Sequence, residues 1–126
     1  MAIEQPCFKI GFMKAGADLS AKQFYCVEVT ADVTVNVNNA AGEEVLGVLQ
    51  NAPKSGEVAD VMGIGVTKLM TGVGGLTAGA TWEAAADGTG IAATTGKVGK
   101  GTVLIGASQG QLATVTVGFA NGGTLA

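Results

Sequence analysis

Histidine is absent from these 126 residues, and so is arginine. Without histidine no Ser-His-Asp or Cys-His arrangement can be assembled, and the commonest metal ligand is missing. All seven basic residues are lysines and the net charge is −3. Nucleic-acid binders present a basic face, commonly with guanidinium forks for phosphate and guanine, so no nucleic-acid partner is expected. Cysteine is confined to Cys7 and Cys26. Two thiols do not make a zinc site or a small secreted disulfide scaffold. They read as two small buried hydrophobes, with a disulfide between them left open.

Charge is scarce. Charged residues make up 13% of the chain, against about 25% in ordinary globular domains. Hydrophobic residues make up 48%, yet the apolar runs are short and broken by Gly, Thr or Lys. None approaches the roughly 20 residues of a membrane helix, and no membrane partner is expected. The start, Met1-Ala2-Ile3-Glu4-Gln5-Pro6, has neither a basic nor an apolar leader region, so no signal peptide is read and synthesis in the cytoplasm is expected. Two readings of the neutral composition stand side by side. Partners cover much of the surface, or the chain is a Gly/Ala/Thr-rich β protein with a neutral surface.

What is plentiful is glycine: 21 residues, spread along the whole chain. That spacing leaves few windows for a long helix. The glycines punctuate short runs rich in Val, Thr and Ile, the strand signature. Strands are expected at 7–12, 24–29, 33–37, 45–50, 57–70, 81–86, 102–107 and 111–119. In the third, Val33, Val35 and Val37 face in and Thr34 and Asn36 face out. Gly63 and Gly65 predict a bulge or bend in the fifth, and Asp87-Gly88 predicts a turn. Short helices at 20–24 and 41–46 would not dominate. The expected fold is all-β: a single small barrel or sandwich over the whole chain, 1–126. Residues 1–16 are either the first strand of the barrel or, the preferred reading, an N-terminal arm that docks on a neighbour; 17–119 form the barrel and 120–126 a tail.

No motif carries chemistry. Gly96-Lys97-Val98-Gly99-Lys100-Gly101-Thr102 lacks the Gly-Lys-Ser/Thr order of a phosphate loop and precedes no helix. Gly72-Val73-Gly74-Gly75 lacks the third glycine and the βαβ setting of a dinucleotide fingerprint. Glu43 and Glu44 read as a solvated turn. Asp18, Asp32, Asp60 and Asp87 are scattered, with no pair spaced for acid–base work or a calcium loop. No catalytic residue, metal ligand or cofactor is expected. Trp82, the one tryptophan, is either an interface anchor or a core aromatic.

Three stretches resemble a family of tailed-bacteriophage capsid decoration (cement) proteins. The first runs Ala15-Gly16-Ala17-Asp18-Leu19-Ser20-Ala21-Lys22-Gln23-Phe24-Tyr25-Cys26-Val27. The second, the most specific, is Leu46-Gly47-Val48-Leu49-Gln50-Asn51-Ala52-Pro53-Lys54-Ser55-Gly56-Glu57. The third covers 79–107 and closes on Ile105-Gly106-Ala107. The resemblance implies a compact β-barrel or β-tulip-like fold, and a homotrimer seated on the outside of an expanded icosahedral head, with the major capsid protein as its partner. It brings no catalytic residues to carry over. On that reading Ile3, Phe8 and Phe12 contact the shell or a neighbouring copy. The competing readings are another virion component, such as a tail or head-fibre part, and a ligand-binding β module. For the last, one Trp, one Tyr and four Phe offer few aromatics.

Overall fold

The computed structural model describes residues 7–94 and 100–118, and among them there is no helix. Nine strands form: β1 (Phe8–Ala15), β2 (Cys26–Ala31), β3 (Thr34–Val37), β4 (Gly47–Leu49), β5 (Val58–Met70), β6 (Thr81–Ala84), β7 (Gly90–Ala92), β8 (Gly101–Ile105) and β9 (Leu112–Val117). They hydrogen-bond in the order β1-β3-β2-β4-β5-β9-β8-β6-β7, and β1 also pairs with β5. The short β1–β3 contact is parallel; the other ladders are antiparallel. The sheet is therefore mixed.

This architecture corrects the expected barrel with an arm. A small barrel has one packed interior, and its strands alternate between core and solvent. Here β4, the start of β2 and the stretch of β5 opposite β4 are buried on both faces. Cys26, Val48 and Met62 lie in one register row and belong to a first core with Trp82, Leu69, Val103 and Val115. Their chain neighbours Val27, Leu49 and Val61 belong to a second core with Met13, Ala15, Leu19 and Val35. The three strands form a wall between two cores, so consecutive apolar residues replace alternation. Nor is 8–15 an arm. From Phe8 to Ala15 it is a paired strand, and Met13 and Ala15 are buried in the second core. Ile3 and the tail 120–126 lie outside the described residues.

β5, 13 residues long, is the shared element. Its first half pairs with β1 and β4, its second with β9. The bend predicted at Gly63 and Gly65 is present. The β1–β5 register slips between Phe8 and Lys9, which face Ile64 and Met62 and leave Gly63 over. Gly65 sits at φ 151°, where a side chain would be strained. Past this point the side chains facing the first core change from even to odd numbers, from Met62 to Leu69.

Three local expectations change. The helices at 20–24 and 41–46 do not form. Val33 is not the inward start of a strand but an exposed turn residue at φ 54°. β7 was not foreseen: Gly90 and its neighbours are too few to show a period, and pairing with β6 makes them a strand. The Asp87-Gly88 turn that leads into it is present. Gly88 sits at φ 83°, and the Asp87 carboxylate accepts bonds from the Thr89 amide at 3.1 Å and its hydroxyl at 2.6 Å.

Candidate functional site

The titratable side chains of the described residues do not converge on a reaction centre. Among the described residues no three His, Cys, Asp or Glu side chains cluster so as to hold a metal ion. Asp87 has its carboxyl held below the ordinary range chiefly by the Thr89 hydroxyl. Asp18 is lowered in the same way by hydrogen bonds from Ser20. Both are acceptors that close turns. Cys26 is fully buried, and desolvation pushes its thiol from 9.0 up to about 12, which removes the thiolate any chemistry would need. Both cysteines are free, Cys7 exposed and Cys26 buried. An open cleft of about 590 Å³ between 74–77 and 107–109 has no titratable side chain on its walls.

Trp82 is fully buried in the first core. Its indole N–H donates to the Thr116 carbonyl at 2.9 Å, the partner a buried indole needs. Of the two roles the sequence left open, its burial describes the core one.

Phe8 and Phe12 are placed differently. Each is 69% exposed on β1. A bulge explains Phe12: Ile10 faces Val61 and Met13 faces Ala59, so three steps on β1 match two on β5. The extra residue turns the ring away from the core that Met13 enters, a usual effect of a bulge. Phe8 faces Ile64 across the strands, and Ile64 is itself 40% exposed. The ion pair beside them, Lys9 to Asp60 at 3.7 Å, is solvent-exposed and adds little to stability. Two phenylalanine rings on a paired strand are thus left in solvent.

No protein-family model matches the chain, and no curated protein matches it. Among solved structures the chain is similar to the crystal structure of head fiber gp8.5 N base in bacteriophage phi29. The fold is shared end to end. The TM-score is 0.62 at 16% identity, over 98% of this chain and 99% of that one. This finding overturns the resemblance to decoration proteins. The turn and glycine strings that carried it, such as 46–57, occur here in the fold of a fibre base. A shared fold carries neither a trimer nor a seat on a three-fold axis. The chain has no histidine and shares its fold with a fibre base.

Proposed function

We propose that this chain is a structural component of a phage virion, a base that attaches a fibre or similar projection to the outside of the head. The observation that carries the reading is the end-to-end fold match to a head-fiber base. The neutral composition and the exposed apolar side chains of β1 support it. The partner we propose is the shell's major capsid protein, met through Phe8 and Phe12, with Ile3 preceding them in the chain. Burying a phenylalanine on docking is worth roughly 1.5–3 kcal/mol, so two such rings are enough to decide whether a modest interface holds.

The test is sedimentation of the purified protein with heads of the phage that encodes it, alongside isolated tails. Saturable binding to heads, reduced at least tenfold in the Phe8→Ala/Phe12→Ala variant, is the expected result. Both rings are exposed, so the variant keeps its fold and its melting temperature. Binding to tails alone, or to neither, would overturn the reading. Sedimentation velocity of the free protein gives the copy number of the assembly.

A further inference from the structure

A groove opens between the end of β2 and the segment that leads into β4. Glu28, Val29, Glu43, Glu44, Val45 and Leu46 line it, around a volume of about 700 Å³. Val29, Val45 and Leu46 supply apolar lining, with Val29 55% exposed. Glu28, Glu43 and Glu44 supply three carboxylates. The cation found beside them is Lys100, whose Nζ lies 3.8 Å from Glu44 Oε2. Among the described residues, even with that ammonium counted, the groove's lining holds two negative charges in excess, on a chain whose net charge is −3.

The groove is held open by buried structure. Asn38 is 1% exposed and lies between the two walls. Its amide nitrogen donates to the Glu44 carbonyl at 2.9 Å and approaches Glu28 Oε2 at 3.4 Å. The Gly42 amide donates to the Ala84 carbonyl and the Leu46 amide to the Val27 carbonyl, both at 2.9 Å. The segment bearing Glu43 and Glu44 is therefore fixed against the body of the protein. The carboxylate heads of Glu43 and Glu44 stay in solvent.

We propose that this groove docks a basic segment of a protein partner, with an apolar side chain against Val29, Val45 and Leu46 and a Lys or Arg between the carboxylates. Charge complementarity selects this occupant. An acidic segment would be repelled, and a wholly apolar one would strip water from three carboxylates without replacing it. The volume, within the 300–1,000 Å³ span of ordinary binding clefts, takes a few side chains. The proposal rests on the attachment reading above and places a second contact on a surface separate from Phe8 and Phe12.

Two measurements on the full chain decide it. The first is fluorescence anisotropy of a short labelled peptide, leucine flanked by arginines, with wild type and the Glu28→Gln/Glu43→Gln/Glu44→Gln variant. Glutamine keeps an acceptor for Asn38, and an unchanged melting curve confirms the variant is folded. Binding at least tenfold weaker in the variant, and weakening with added NaCl, is expected. Equal binding by both proteins, or none, overturns the groove. So does a melting shift with calcium chloride that the variant lacks when no peptide binds, since the groove would then hold a cation. The second is head sedimentation of the same pair. A tenfold loss in the variant supports the groove. Heads bound equally by both overturn it and leave the attachment reading standing, whereas heads bound by neither overturn the attachment reading and leave the peptide result to judge the groove.

Discussion

Val61 and Met62 are neighbours in β5, and their side chains lie in different cores. Val61 packs with Met13, Leu19 and Leu49 in one, and Met62 with Trp82 and Leu69 in the other. The strand between them is the wall of both. Truncating either residue leaves a cavity on one side only. Val61→Ala should cost about 1–3 kcal/mol and Met62→Ala about 2–5 kcal/mol, the span of large-to-small core changes. Because the cavities open in separate cores, the double variant should lose the sum within about 0.5 kcal/mol, unless the one strand that carries both residues couples them. Urea unfolding of the four proteins measures this, and a coupling well beyond that figure would mean the two cores act as one.

Gly47 allows the wall to close. A β-carbon there would fall onto the Met62 carbonyl oxygen and against the Val61 side chain. The obstacle is backbone on a paired strand, which cannot swing aside as a long side chain would. Gly47→Ala should destabilise by about 1–3 kcal/mol, the range for overpacking. Thermal unfolding reads it, and a neutral result would place β4 farther from β5 than described.

Val33 holds a backbone conformation that suits it badly. At φ 54° a β-branched residue is an outlier, and its side chain gains little in return at 44% exposure. Val33→Asn should raise stability by about 1 kcal/mol, since asparagine tolerates this region and left-handed geometry costs other L-residues roughly 1–2 kcal/mol. A higher melting temperature is the readout. If stability falls instead, the valine makes a contact that outweighs its strain.

Cys26 gives a pH signature. Its thiol is raised in the folded state from 9.0 to about 12. Below pH 9 both states keep the proton and the thiol costs nothing. Between pH 9 and about 12 the unfolded chain ionises first, so stability falls as pH rises, by up to about 1.4 kcal/mol per unit for one proton. Cys26→Ala should flatten that part of the pH–stability curve. A thiol reagent should meanwhile find one group, Cys7, in the native protein and two in denaturant.

Much of the strand pattern was legible from residue order, because β-branched runs bounded by glycine have few other outcomes. The long fifth strand, its bend at Gly63 and Gly65, and the Asp87-Gly88 turn all come from local rules. The exposed phenylalanines were singled out, but as parts of an arm. The bulge that aims Phe12 outward depends on which residue of β5 lies opposite, which the local sequence does not say. The groove was missed altogether. Glu43 and Glu44 look like a solvated turn until Asn38 and Glu28 are brought beside them from other parts of the chain.

By itself the sequence determined an all-β chain, poor in charge and without the groups that catalysis or metal binding by histidine requires. Those properties are local or compositional, and composition survives any arrangement of strands. Only the tertiary structure decided that the strands enclose two cores instead of one, that 8–15 is part of the sheet, and that the tryptophan is interior. A strand's own residues fix its period. Which face is buried, or whether both are, depends on what packs against it from far away in the chain. The pairs Cys26-Val27, Val48-Leu49 and Val61-Met62 carried the trace of a wall buried on both sides, and only the register between them turned that trace into a structure.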